Sequence, residues 1–156
     1  SRVTAMIGKY FQGKVPSESS DDQRIAFDGF DWPTKCKDTT QSWEEAMESF
    51  SLAIATETAM GLIRDVDLFI NETAPFSLAK DESKFTELGA ILYQCLEVLR
   101  IASLLLDPVI PSKMQEFRIA IGSESQQQTT QEATVWGGLV EGTAVDKVAL
   151  FPRINQ

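Results

Sequence analysis

Asn71-Glu72-Thr73-Ala74-Pro75-Phe76-Ser77-Leu78-Ala79-Lys80 closes one apolar-periodic segment of the chain and precedes another. A proline disfavours helix at the residue before it, so a helix must stop near Ala74, and the Phe76 ring is presented at the end of a bundle. Upstream, Leu52, Ala55, Ala59, Met60, Ile63, Val66, Phe69 and Ile70 recur mostly at steps of three and four. That spacing predicts a helix from a cap at Ser51 to about Glu72. At ~1.5 Å per residue it is roughly 30 Å long. Downstream, Phe85, Leu88, Leu92, Cys95, Leu99, Ala102 and Leu106 form a second stripe, opened by Asp81 or Ser83 and ended by Asp107-Pro108. Ile91, Leu96, Val98, Ile101, Leu104 and Leu105 widen it, so its second half must be buried almost all round.

Working outward, Val3, Met6, Ile7, Tyr10 and Phe11 predict a first helix stopped by Gly13 and Pro16. No strong cap precedes Arg2, so the chain is expected to begin inside a helix, as a piece of a longer polypeptide. Residues 17–39 are Ser/Asp-rich and contain Gly29 and Pro33. They are expected to form a loop with a turn of helix around Gln23 to Phe27, anchored by Ile25, Phe27, Phe30 and Trp32. A loop of this length is uncommon, which points to hidden helix. Ser42-Trp43-Glu44-Glu45 has the form of a capping box and predicts a short helix to about Ser49. Pro111 suits the first turn of a further helix carrying Met114, Phe117 and Ile121 and closed by Gly122. Residues 123–132 are rich in Gln, Ser and Thr and read as a linker. Trp136-Gly137-Gly138-Leu139 and Leu150-Phe151-Pro152-Arg153-Ile154 are apolar anchors in an extended tail. The expected fold is all-α: an antiparallel helical bundle over residues 1–122, then a linker and extended C-terminal tail over 123–156 packing back on the bundle or on a further domain.

The 156 residues fit one domain, and 43% apolar content is enough for a core. The most membrane-like stretch, Val98 to Ile110, carries Arg100 and Asp107 and ends at prolines, so it reads as buried helix and no membrane partner is expected. Cys36 and Cys95 have no metal-ligand spacing. Cys95 has core spacing, Cys36 sits in a stretch read as polar loop, and both suit a reducing cytoplasm. The chain has no histidine. Serine-histidine and cysteine-histidine catalysis are therefore excluded within it, and so is the commonest zinc ligand. The Gly137-Gly138 pair lacks the Lys-Ser/Thr of a phosphate loop. Paired carboxylates such as Glu44-Glu45 and Asp81-Glu82 sit at expected helix starts, where they favour the helix dipole. No catalytic residue, metal site or cofactor is expected in this chain.

Net charge is −9, which argues against indiscriminate nucleic-acid binding, and no DNA partner is expected. The charge is uneven: residues 1–16 carry +3 through Arg2, Lys9 and Lys14, whereas residues 17–76 carry −9.

The 71–80 stretch resembles the Glu-Thr-Ala-Pro-Trp-x-Leu-Ala-Lys signature of the anticodon-binding domain of methionyl-tRNA synthetases, a class I family. Four further pieces follow that family's order. Ser1-Arg2 through Met6-Ile7-Gly8-Lys9-Tyr10-Phe11 and Gly13-Lys14-Val15-Pro16 is similar to its first helix. Asp67-Leu68-Phe69-Ile70 is similar to the end of its long helix. Leu92-Tyr93 through Leu99-Arg100 and Asp107-Pro108 is similar to its next helix and proline corner. The two tail anchors are similar to its closing segment.

The resemblance implies that Arg2 contacts the anticodon and that Phe76, set by Pro75, is the platform on which the first anticodon base stacks. Lys9 and Lys14 become candidate phosphate contacts. Two departures stand out: Phe76 where the family has tryptophan, and Asp67 where it frequently has asparagine. The catalytic signatures His-Ile-Gly-His and Lys-Met-Ser-Lys-Ser are absent from this chain. The resemblance thus implies the tRNA-reading part of a methionine–tRNA ligase, with ATP and Mg handled by an N-terminal catalytic domain outside it. Partners would be methionine tRNA, through its anticodon loop, and that catalytic domain. A shared anticodon requires Arg2 and Phe76 at one end of the bundle, with their helices expected to run antiparallel. Two other readings remain: a helical protein-interaction module, in which an isolated Phe76 is a core plug, and the corresponding domain of another class I synthetase.

Overall fold

The computed structural model describes residues 2–21, 23–123 and 129–148. In chain order these form α1 (Arg2–Tyr10), a hairpin of β1 (Ser19–Ser20) and β2 (Gln23–Arg24), α2 (Trp32–Glu48), α3 (Leu52–Thr73), α4 (Pro75–Leu78), α5 (Phe85–Leu105), α6 (Pro111–Ala120) and α7 (Thr130–Ala133). The fold is all-α, and the antiparallel two-residue strands are its only sheet among the described residues.

The hub is α5, which packs on α1, α2, α3, α4, α6 and α7. Its Leu88, Ile91, Leu92, Cys95, Leu96, Val98 and Ile101 are fully buried, as its all-round apolar pattern requires. The segment Glu82–Leu105 is long and apolar enough to cross a bilayer, but it is enclosed by the bundle. A short 3-10 turn, Glu82–Lys84, precedes it and is capped by Asp81, whose side chain accepts from Ser83 N–H. That contact, with the Ser83 hydroxyl, holds the Asp81 carboxyl below its usual range.

Directions follow from the contacts of α5. Phe11, just past α1, meets Phe85 at the start of α5 with ring centroids 5.4 Å apart. The first turn of α1 shares a cavity with Leu99 and Leu106, near the end of α5. So α1 runs opposite to α5. The same holds for α3, which leads through α4 into the start of α5 and sets Ile63 in that cavity beside Leu99. α1 and α3 therefore point the same way, against the antiparallel expectation. A short α1, slid toward the C-terminal part of a long α3, brings Arg2 to that part without reversing either helix.

Several local expectations are corrected. Gln23 to Phe27 is not a turn of helix: Gln23 and Arg24 form a strand, and Phe27 bridges to Phe30. Ser42 to Glu45 do not open a helix but lie inside α2, which starts at Trp32 behind an Asp31 cap with Pro33 in its first turn. Cys36 is consequently buried in α2 rather than in a polar loop. Phe30, Trp32 and Phe69 pack with centroids 4.7–5.6 Å apart, tying the start of α2 to α3. Leu52 and Met60, assigned to the core stripe, are exposed, and Leu62 is buried in their place. The expected linker ends in α7, opened by a capping box at Thr129 and Glu132.

One buried carboxylate gathers the first part of the tail onto the bundle, and backbone bonds between residues 13–15 and 142–145 hold the part that follows. Glu97 is fully buried on α5. Its oxygens accept from the backbone N–H groups of Gly137 (3.1 Å), Gly138 (3.0 Å) and Leu139 (3.1 Å). They also accept from Arg100 Nη2 at 2.6 Å and Nε at 3.0 Å. Arg100 donates onward to the carbonyls of Ala133 and Val135, and Tyr93 Oη to that of Leu139. A Cβ on Gly138 would lie 2.6 Å from the Arg100 guanidinium carbon, so a larger residue there must push the guanidinium off its bonds to Glu97. Trp136 is a tail anchor: its Nε1 donates to Glu18, and Arg24 lies over its ring. The Leu150 to Ile154 anchor lies outside the described residues.

Candidate nucleic-acid interface

α3 ends because Ala74 takes the left-handed conformation (φ 48°), its N–H closing on Ile70 O at 2.9 Å. Pro75 then occupies the first position of α4, where its fixed φ suits a new helix and its lack of an N–H costs nothing. Pro75 is buried and Phe76 is 48% exposed, with no ring partner among the described residues. Buried proline, reversed alanine and one helical turn thus hold a half-open ring on a fixed base.

Arg2 opens α1, also exposed. Its Nη2 donates to Asp67 Oδ1 on α3 at 3.1 Å, the side chains being 57% and 61% exposed. From Asp67 to the end of α3 at Thr73 the helix rises about 9 Å. Guanidinium and ring are therefore mounted on one rod, in and just past its last two turns. Arg2 and Asp67 also line an apolar cavity of about 270 Å³ with Val3, Val66, Leu99 and Phe117.

Lys9 and Lys14 are exposed, but neither joins this pair. Lys9 lies over the Tyr10 ring at 5.2 Å. Lys14 follows α1, bridges to Ala144 and lines a separate cleft with Phe85 and Gly89. Sequence reasoning marked Asp67 only as a departure from a frequent asparagine. Its meeting with Arg2 joins positions 65 apart, and no local pattern encodes it.

Among the described residues no group of three or more His, Cys, Asp or Glu could hold a metal ion. Both cysteines are buried, and burial pushes the Cys36 thiol up to about 12 and raises that of Cys95, so neither is a ready nucleophile. The C-terminal part of α3 thus carries two kinds of surface that an unstacked base uses, an exposed ring just past its end and forked donors against its last two turns.

No family model matches the chain. It is, however, 36% identical to the methionine–tRNA ligase of Halalkalibacterium halodurans over 156 residues, which is 99% of this chain and 23% of that protein. It is 35% identical to the Bacillus subtilis enzyme over 160 residues, again 23% of the relative. It is 32% identical to the Streptomyces coelicolor enzyme over 166 residues, 30% of the relative. The chain spans about a quarter of the length of these first two curated relatives. The free-state crystal structure of Mycobacterium tuberculosis methionyl-tRNA synthetase has the same fold, with TM-score 0.85 and 23% identity over 99% of this chain and 31% of that one. By sequence along nearly its whole length, and by fold, the chain belongs to the methionyl-tRNA synthetase family as the counterpart of one segment of those enzymes.

Proposed function

We propose that this chain is the anticodon-recognition part of a methionine–tRNA ligase, with Phe76 as the stacking platform for an unpaired anticodon base and Arg2 as the donor to its edge. The observation that carries the reading is the half-exposed Phe76 ring, fixed by Pro75 and close along α3 to an exposed arginine. An anticodon loop presents unstacked bases, and base–aromatic stacking is worth roughly 1–3 kcal/mol per base. In this reading, activation of methionine with ATP and Mg and transfer to tRNA belong to the rest of such a ligase, in the cytoplasm. The residues of this chain hold the far end of the tRNA so that the acceptor end reaches that site. The acidic remainder of the surface discourages other RNA, and Lys9 and Lys14, away from the Arg2–Asp67 pair, are candidates for phosphate contacts outside the anticodon itself.

A protein-interaction module would draw on exposed Phe50, Leu52 and Ile54 at the α2–α3 corner. That reading leaves the open ring at Phe76 without a role. Binding of this chain to the anticodon stem-loop of methionine tRNA at low salt tests the proposal. Phe76→Ala should weaken it roughly 5- to 150-fold, the 1–3 kcal/mol of one stacked base, and Arg2→Ala should weaken it as well. Equal affinity of wild type and both variants rules the proposal out.

A further inference from the structure

Lys37, Thr40, Gln41 and Glu44 fall on one stripe of α2, because steps of three and four return a helix to the same face. That stripe is one wall of a cleft of about 710 Å³, a size suited to a small molecule. The other wall runs from Gln131 in α7 to Trp136. Neither wall includes Arg2 or Phe76. The second wall is firmly held. Arg100 donates to the carbonyls of Ala133 and Val135, and Glu97 accepts from the amides that follow. Trp136 is fixed by its Nε1 bond to Glu18 at 3.2 Å, and Arg24 lies 5.6 Å from its ring centroid.

Chain directions set what faces what. The tail meets α5 in reverse order: Leu139 at Tyr93, Gly137 at Glu97, Ala133 at Arg100. α2 runs with α5, because a tight turn reverses α2 into α3 and α3 opposes α5. The tail therefore runs opposite to α2. Trp136 faces the Lys37 end of the stripe, and Gln131 faces the Glu44 end. Thr40, between them, is an independent sign of a ligand. It is 7% exposed, and its hydroxyl has no hydrogen-bond partner. Thr56, Thr58, Thr73 and Thr134 each bond back to the carbonyl four residues earlier. Thr40 does not, and a buried hydroxyl without a partner is costly. The side chains of Lys37, Glu44 and Gln131 also form no hydrogen bond or ion pair among the described residues.

We infer that this cleft binds a guanine nucleoside. The cleft offers a flat ring with a cation at one end and hydroxyl, amide and carboxylate partners at the other. Guanine lies against the Trp136 ring, with its O6 and N7 acceptors turned to the Lys37 ammonium. The ribose lies toward the other end, where its hydroxyls exchange hydrogen bonds with Thr40, Glu44 and Gln131. Lys37 and Glu44 are about 10 Å apart along the helix axis, close to the length of a nucleoside. Adenine turns an amino group to the edge where guanine has O6, and an ammonium cannot accept from it. A 5′-phosphate would sit at the Glu44 end and meet a like charge. The cleft therefore selects the nucleoside over its phosphorylated form. This inference does not depend on the anticodon reading.

The test titrates this chain with guanosine, adenosine and guanosine 5′-monophosphate, followed by calorimetry and tryptophan fluorescence. Trp32 and Trp43 are buried, so a ligand stacked in the cleft reports through Trp136. Guanosine should bind saturably and change that fluorescence, and the other two probes should bind more weakly. Lys37→Ala and Glu44→Gln should each weaken guanosine binding roughly tenfold, the size of one charge-assisted hydrogen bond. Thr40→Val keeps the shape of the side chain and deletes its hydroxyl. It should weaken guanosine binding without lowering the melting temperature, because the hydroxyl has no partner to lose. The absence of saturable guanosine binding in the millimolar range overturns the proposal. So does equal binding of adenosine or of the monophosphate, or wild-type affinity in both Lys37→Ala and Glu44→Gln. A lower melting temperature in Thr40→Val overturns it as well, since the hydroxyl would then be satisfied within the fold.

Discussion

Replacing Glu97 by alanine should release residues 134–139 from the bundle and destabilise the whole chain, while residues 142–146 stay tied to Gly13, Val15 and Ala120. Three backbone N–H groups and the Arg100 guanidinium share this one carboxylate, which is itself fully buried. Removing one partner of a buried charge pair costs about 3–5 kcal/mol, because the other is left uncompensated. The orphaned Leu139 amide, the buried one of the three, would add roughly 1–3 kcal/mol if the tail stayed in place. The cheaper outcome is release of residues 134–139, which rehydrates the amides at the expense of Leu139 burial. The net loss is therefore about 3–5 kcal/mol, a large part of the ~5–15 kcal/mol that holds a domain folded. At ~2–4 °C per kcal/mol for a chain of this size, the melting temperature should fall by roughly 6–20 °C. Thermal and urea melts measure the loss, and amide hydrogen exchange at Gly138 and Leu139 locates it. Adding Arg100→Ala to Glu97→Ala should cost less than the sum of the single changes, since the second removes the stranded charge. A fall of less than about 2 °C with unchanged exchange at residues 137–139 would refute this account of the tail.

Two further outcomes follow from the fold. Phe50 ends α2 in the left-handed region (φ 57°), with Ser51 N–H closing on Ala46 O, yet its ring is 96% exposed. Phe50→Asn should stabilise the chain by about 1 kcal/mol, since asparagine tolerates this backbone and no contact is lost; a lower melting temperature contradicts that. In alkali, Cys36 is pushed up to about 12 chiefly by burial and then by Glu97, and burial likewise raises Cys95 and Tyr93. These groups are neutral in the fold and ionise first in the unfolded chain. Their contribution is complete below the ordinary thiol value of about 8.5 and drains away as pH rises toward the folded values, by about 1.4 kcal/mol per pH unit for each ionising group. Urea unfolding between pH 8 and 11 should show that decline; a flat profile would mean the thiols and phenol are open to solvent.

The two long helices were legible because α3 and α5 repeat apolar residues at three and four, and because Pro75 and Pro108 mark where they end. The start of α2 was not. Ser42 to Glu45 carry every local mark of a helix start, but the helix was already running. Asp31 and Pro33 were the true signals, obscured by a polar, glycine-containing neighbourhood. Gln23 to Phe27 was misread because what holds it is distant: Phe27 on Phe69, and Gln94 Nε2 donating to Ile25 O. The family resemblance singled out Phe76 and Arg2, whereas the pairing of Arg2 with Asp67 and the direction of α1 relative to α3 are properties of packing. A pattern of short period carries no information about either.

The rod between Asp67 and Thr73 has an implication for engineering. Deleting a single residue there would swing everything beyond it by about 100° and draw it back 1.5 Å. Spacing in this stretch is thus a stricter constraint than chemistry. Exposed side chains between its two ends can be exchanged, but a change in length would turn Phe76 away from its present direction relative to Asp67.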